Sequence, residues 1–279
     1  MAIEYLPGYA VKPELITTSG DVLFTNGYVS IHPNQKTCEA YGYTYDKATG
    51  TCRAYAFNEN LGRNVINENN NIQGSRNQTE TGTNNTYIMG EENIVRGVSR
   101  NNVIVGSNNQ INYGVNNASI LGNYGLAQRP GEAVIGGGGS TVGKSQSSTI
   151  HLSGRTEDAG SAAATSLYVN GDSSVTIIAR DADAIATSFT GFEANVIGVR
   201  TGGSAAGSVH DRILLRATGL VYEKAPSQTV STLGSSGTVT GWTAAVAFSG
   251  TNDMLFQVTG AANMEISWSC TLNLYEMKL

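Results

Sequence analysis

The sequence predicts an all-β protein. Three observations carry that expectation: a polar composition poor in charge, short apolar stretches set between turn residues, and an internal repeat built on asparagine and glycine. Of 279 residues, 14% are charged and 8% aromatic, while 34 are glycine. Polarity therefore comes from Asn, Ser and Thr, which favour turns over helix interiors. An ordinary domain is about one-third helical, with apolar residues recurring at i, i+3 and i+4. No stretch keeps that pattern here. The nearest, Asp181 to Thr187, is short and runs into Ser188, Phe189, Thr190 and Gly191.

Composition also excludes several functions. A net charge of -5 without a Lys or Arg run argues against a nucleic-acid partner, because phosphate binding needs clustered cations. The opening MAIEYLPGYAV lacks the cationic head and apolar core of a secretory signal, and nowhere do about eighteen apolar residues follow one another. Neither export through such a signal nor membrane insertion is expected. Three cysteines, Cys38, Cys52 and Cys270, without a CxxC make a zinc site an unexpected feature.

Residues 1–57 read as an N-terminal β module. In DVLFTNGYVSI (Asp21 to Ile31) the Asn26-Gly27 pair between β-rich runs is a strong hairpin signal. Cys38 and Cys52 then flank YGYTYDKATG, whose alternating tyrosines and DKATG turn predict a hairpin that brings the sulfurs together. Two buried thiols in a reducing cytoplasm and a disulfide formed after release from a cell both fit this spacing.

From residue 58 to 135 asparagine dominates. Gly74, Gly82, Gly90, Gly97, Gly106, Gly114 and Gly122 fall about eight apart, with single-residue slips. Aligned on glycine, the units read NNNIQG, NNTYIMG, NNVIVG, NNQINYG and NNASILG. Each supplies a short strand with one inward aliphatic (Ile72, Ile88, Ile104, Ile111, Ile120), then a turn where Gly and Asn accept positive φ. Two units make one coil of about sixteen residues, and coils stacked about 4.8 Å apart let Asn amides form ladders. Burying one Ile is worth roughly 1.5 to 3 kcal/mol, while ordering one residue's backbone costs roughly 1 to 2, so a lone turn falls short. Stacking closes part of the gap, and side-by-side association of several chains is expected to close the rest.

NNVIVGSNNQINYG and NNASILGNYGLA resemble the head repeats of trimeric autotransporter adhesins and related segments of bacteriophage tail fibres. The resemblance covers about 65 residues and implies a trimeric parallel β-roll. Adhesin repeats usually run to fourteen residues and are rich in Ala and Ser. This repeat is nearer sixteen and rich in Asn, which leaves coil shape and handedness open.

A Gly-rich neck is expected at 136–146, followed by a C-terminal β-sandwich at 147–279. Strand candidates there are STIHLSG, SLYVN, SVTIIA, EANVIGVRT, DRILLRA, LVYEK, GTVTGWTAAVAF, DMLFQVTG and MEISWSCTLNLYEMKL, with Trp242 and Trp268 as core anchors. IHLSGRTEDAG, SLYVNG, FEANVIGVRTGG and ISWSCTLNLYEMKL resemble the C-terminal β-sandwich of many tailed-phage fibre and virion structural proteins.

The stretch GGGGSTVGKS fills the P-loop pattern with Gly138, Gly143, Lys144 and Ser145. A working P-loop needs a helix starting at Lys-Ser, and SQSSTIHLSGR is a poor helix former. VTIIARD offers Asp181 as a magnesium partner, but no crossover helix builds a parallel βαβ unit. The stretch reads instead as the joint between stalk and knob. His32, His151 and His210 lie in different modules with no GxSxG or HExxH, so a hydrolytic triad has no support. Asp181 and Asp183 read as solvated loop carboxylates before a calcium site.

A glycan depolymerase would need paired carboxylates. Glu68, Glu80, Glu91 and Glu92 are expected at turns of coils too short to offer a long substrate groove. Asn77, Asn84 and Asn117 open glycosylation sequons that follow from Asn richness, and without a signal peptide no glycosylation is expected.

Together the resemblances imply a homotrimeric virion fibre or spike of a tailed bacteriophage, assembled in the host cytoplasm. Its N-terminal module would dock to other virion proteins, and its C-terminal knob would bind host-surface glycan or protein. No enzymatic activity and no cofactor are expected. The alternatives are a non-adhesive virion protein (head fibre, collar whisker or capsid decoration) and, further off, a depolymerase tailspike.

Overall fold

A computed structural model describes residues 11–17, 20–47, 49–54, 70–169, 175–178, 188–206, 208–222, 225–249 and 253–279. The chain is nearly all β, as expected, and divides into two compact units, 1–65 and 66–279. The Asp181 to Thr187 segment lies outside the described residues.

In the first unit β1 (Lys12–Ile16), β2 (Val22–Thr25) and β3 (Ser30–Ile31) form an antiparallel sheet in that order. The pairing of Thr25 with Ser30 places Asn26 and Gly27 in the connecting turn, where the Tyr28 and Val29 amides donate to Asn26 Oδ1. A short helix, α1 (Gln35–Ala40), follows, although none was expected. Asn34 is the reason: its Oδ1 accepts from Thr37 N at 2.9 Å and caps the first turn. β4 (Thr44–Asp46) and β5 (Thr51–Arg53) then make the expected hairpin. It supplies only Cys52, because Cys38 sits on α1. The two are joined in a disulfide and buried with Val22 and Phe24, and Tyr41 and Tyr43 pack edge-on to Phe24.

The second unit begins as a solenoid of about four coils. Its strands are β6 (Asn71–Ser75), β7 (Gln78–Thr79), β8 (Tyr87–Glu91), β9 (Ile94–Val95), β10 (Val103–Ser107), β11 (Gln110–Ile111), β12 (Ser119–Asn123), β13 (Leu126–Ala127) and β14 (Ala133–Gly137). Each coil pairs one five-residue strand with one two-residue strand, so two glycine-bounded units make one turn of the solenoid. Like strands stack in parallel register: Ile72, Ile88, Ile104, Ile120 and Val134 form one inward column, and Thr79, Val95, Ile111 and Ala127 a second. Each full coil thus brings two inward positions, and the apolar interior closes within one chain.

Asparagine fills the corners. The Nδ2 of Asn93 donates to Asn77 Oδ1, and that of Asn109 donates to Asn93 Oδ1, while all three amides also donate to the carbonyls of Gly90, Gly106 and Gly122 in turn. A second ladder, Asn85 to Asn101 to Asn117, runs along the exposed surface, where all three residues have positive φ. The amide ladders anticipated from the sequence are therefore present in both buried and exposed forms.

The rest of the unit comprises β15 (Ser145–Thr156), β16 (Ala164–Ser166), β17 (Ile177–Ile178), β18 (Ser188–Gly202), β19 (Arg212–Tyr222), β20 (Ala225–Ser236), β21 (Thr243–Ser249), β22 (Asp253–Thr259) and β23 (Glu265–Lys278). This part is continuous with the solenoid. β14 pairs antiparallel with β15, so one sheet of ten described strands runs β20-β19-β18-β23-β15-β14-β12-β10-β8-β6. Residues 136–146, read from the sequence as a neck, therefore form a hairpin within that sheet: Gly136 and Gly137 end β14, and Ser145 and Gln146 begin β15.

A four-stranded sheet, β16-β22-β17 with β21 on β22, shares a core with the large sheet. Ile150, Phe192, Val196 and Leu272 meet Val246, Met254, Phe256 and Val258 there. Trp242 and Trp268 are buried in this core with ring centroids 5.5 Å apart. Two features differ from the sequence reading. The DRILLRA and LVYEK candidates merge, since Arg212–Tyr222 is one strand, β19, and β20 is an unanticipated twelve-residue strand of mostly Ser, Thr and Gln at the sheet edge.

Strict alternation gives the ten-stranded sheet a core face and an outward face. On the outward face the register aligns a row, in order Gln73, Met89, Val105, Leu121, Ile135, Ser147, Tyr275, Gly191, Leu220 and Ser227.

Candidate functional site

The phosphate-loop stretch is a β-turn region, not a strand-to-helix elbow. Lys144 leads directly into β15, its backbone N donating to Thr141 O while its O accepts from Lys278 N. The amide-rich helix start that would face a nucleotide is replaced by a strand whose amides are engaged in the sheet.

The solenoid carboxylates are held by arginines on neighbouring coils. Arg96 Nη1 lies 2.5 Å from Glu80 Oε1, and the Gly97 amide donates to Glu80 Oε2 at 3.0 Å. The Arg96 hydrogen bond is the main reason the Glu80 carboxyl lies below its usual range. Arg76 pairs with both Glu91 and Glu92. Glu68 lies outside the described residues. Each of the three described carboxylates thus bridges coils, a structural arrangement.

The histidines lie on different elements. His32 is exposed in the first unit, His151 is exposed on β15 near Thr271 Oγ1 (3.3 Å), and His210 sits at positive φ in a loop of the second unit. Asp181 and Asp183 lie outside the described residues. Among the described residues no cluster of three or more His, Cys, Asp or Glu is placed to hold a metal ion, and no helix is long and apolar enough to cross a membrane. Asn77 and Asn117 are ladder members. Cys270 is buried in the core, and burial pushes its thiol up to about 12.

Three loops converge beyond the ends of β15, β18 and β22. Asp158 Oδ1 accepts from Ser204 N and Oγ, Asn263 N donates to Ala159 O, and Ala205 N donates to Asn263 O. Arg200 organises this end. It is buried, yet its guanidinium donates to the carbonyls of Gly202, Gly203, Ala205 and Ala206, fixing the loop that follows β18. Four carbonyl acceptors offset the desolvation of the cation. Beside these loops an open cleft of about 160 Å³ is lined by Arg155, Glu157, Ser161, Thr165, Gly260 and Ala261 among others. Arg155 is half-exposed at its mouth and pairs with Glu265 Oε1 at 2.6 Å. The cleft offers a cation, a carboxylate, hydroxyls and small residues, a surface able to hydrogen-bond a polar ligand.

A second charged cluster was not anticipated. Arg129, after β13, is buried against Glu132 and Glu276, each 2.5 Å away, and Gln146 Nε2 donates to Glu276 Oε2. Burial pushes the Glu276 carboxyl up, but the charge and hydrogen bonds of Arg129, with Gln146 and Lys278, more than reverse this and hold it below its usual range. The cluster joins the last solenoid coil to β23; Arg129 and Glu132 are buried, and Glu276 keeps a small exposed edge. Its sequence signal was one of phase: along ISWSCTLNLYEMK the inward positions are Ile266, Trp268, Cys270, Leu272 and Leu274, and Glu276 falls on the next. Arg200 likewise occupies the inward phase of β18.

No family model and no curated protein matches this chain. Among solved structures it is similar to the Acinetobacter baumannii phage AM24 tailspike protein, at 9% identity and TM-score 0.29, over 75% of this chain and 49% of that one. It is also similar to the Acinetobacter phage vB_ApiP_P1 tailspike protein, at 10% identity and TM-score 0.27, over 76% and 54%. The chain spans about half the length of these structures.

Proposed function

We propose that this protein is a homotrimeric fibre or spike subunit of a tailed-phage virion and that it mediates attachment to the host surface. In this reading residues 1–57 dock to other virion proteins, the solenoid of 58–135 is the stalk, and 147–279 form a β-sandwich knob. The observation that supports the reading best is the sheet that runs unbroken from the solenoid into the knob, with the three-loop cleft at the strand ends of the knob. Polar loops carried on one continuous sheet suit presentation of a binding site on a virion surface. Host-surface glycan or protein is the ligand, and three copies of a weak site supply avidity.

The full-length chain, added to host cells, is expected to bind them and to reduce phage adsorption, and Arg155→Ala is expected to weaken both effects. Absence of competition by a folded chain would favour a purely structural virion role. Release of oligosaccharides from host polysaccharide would favour a depolymerase.

A further inference from the structure

We infer that the apolar row on the outward face of the ten-stranded sheet is the surface by which copies of this chain pack against one another. The row carries Met89, Val105, Leu121, Ile135, Tyr275 and Leu220 in cross-strand register. Five of the six are 42 to 61% exposed. The inference rests on the oligomeric reading above and assigns its face.

Four physical points select this surface and this occupant. The strands that carry the row already satisfy one another's backbone hydrogen bonds, so the face offers side chains alone, and what it lacks is cover for apolar area. Over ten strands the row contains no Asp, Glu, Lys, Arg or His, whereas the rows on either side carry Glu193, paired with Arg216, and Glu91. Chains of net charge -5 repel one another, and a strip without formal charge is where like copies meet at least electrostatic cost.

The third point is size. Ten strands at about 4.8 Å make a row of roughly 45 Å, and at a width of about 15 Å it offers on the order of 700 Å² per chain, close to the roughly 800 Å² that each partner of a specific complex buries. The last point is repeat. The row advances by one side chain per strand, and a second copy aligned side by side presents the same side chains at the same interval, so apolar positions meet along the whole length. Burying five such side chains is enough to drive association.

Light scattering on the full-length chain tests the assignment. Wild type is expected at a multiple of the chain mass, and Leu121→Glu combined with Ile135→Glu at a single chain mass with unchanged β-sheet circular dichroism. A monomeric wild type would overturn the oligomeric reading together with the interface. An oligomeric wild type whose mass survives the double substitution would overturn the interface alone. Should the double variant not fold, cross-linking decides: oxidised Leu121→Cys is expected to yield a covalent dimer, and Tyr113→Cys, exposed in the turn after β11, to run as a single chain. No cross-link at 121, or equal cross-linking at both positions, would count against the proposal.

Discussion

Asn109 donates from Nδ2 to the Oδ1 of Asn93 at 3.0 Å, sixteen residues back in the chain and inside the coil. The same Oδ1 also accepts from the Asn109 backbone N, and Asn93 Nδ2 donates to Gly106 O at 2.8 Å. One side chain thus bonds three polar groups of the next coil and, through Nδ2 to Asn77 Oδ1, one of the coil before.

Replacing Asn93 with Leu is therefore expected to destabilise the second unit by about 3 kcal/mol, because a buried N–H and a carbonyl lose their partner. Asn101→Gly removes a comparable pair of amide bonds from the exposed ladder. Water replaces them there, and Gly accepts the positive φ, so a loss below about 1 kcal/mol is expected. Urea unfolding of both variants measures the difference, and equal losses would show that burial of the ladder is unimportant.

Gly106 sets how closely coils stack. A Cβ built there would lie 1.8 Å from the Gly122 carbonyl oxygen, and its φ of 133° already disfavours any L side chain. Because both clashing groups are backbone, relief requires the coils to part, and Gly106→Ala is expected to cost more than about 3 kcal/mol. Gly114, at φ 72° with open space around it, is expected to accept Asn within about 0.5 kcal/mol. A matching drop in urea midpoint for both would refute this account of the glycine spacing.

The repeat made the solenoid legible, because sequence period and coil period are the same quantity. Glycine and asparagine recur wherever the chain turns, and Ile72, Ile88, Ile104 and Ile120 mark the inward face. Strands such as β18 and β23 were legible from alternation. β20 was not, since Ser227, Thr229 and Ser231 carry no apolar contrast, and its place is fixed by pairing with β19. The hairpin at 136–146 was missed for a related reason: glycines read as a break in structure also permit the tight approach of β14 and β15. Arg129 and Glu276 lie 147 residues apart, and no local pattern pairs them.

The buried cluster predicts an inverted pH response. In wild type the Glu276 carboxyl is held below its usual range, so its contribution is present above the unfolded value of about 4.3 and is lost as pH falls through the lower folded value. Stability is expected to be flat from pH 5 to 8 and to fall in more acid solution. Arg129→Met leaves two buried carboxylates without their countercharge, at a cost of about 3 to 5 kcal/mol near neutral pH. The folded value of Glu276 then rises, the native state binds more protons than the unfolded one, and the variant is expected to gain stability from pH 8 to 5. Denaturation midpoints across that range decide, and parallel profiles for the two proteins would contradict the countercharge role.

The disulfide between Cys38 and Cys52 predicts that the two units respond differently to a reductant. It joins α1 to β5 in a unit whose core otherwise rests on Val22 and Phe24 with flanking tyrosines. Opening a loop of 14 residues is expected to cost that unit about 3 kcal/mol. The optical probes separate in part. Both tryptophans, Trp242 and Trp268, lie in the second unit, whereas tyrosines lie in both, and Tyr41, Tyr43 and Tyr45 pack around the disulfide core. Adding dithiothreitol during urea unfolding is expected to move one component of the tyrosine near-ultraviolet dichroism transition to lower urea and to leave the tryptophan fluorescence transition in place. Cys270 does not complicate the result, since it is a buried free thiol. Two transitions that shift together, or a tyrosine transition indifferent to the reductant, would show that the bond does not carry the stability of the first unit.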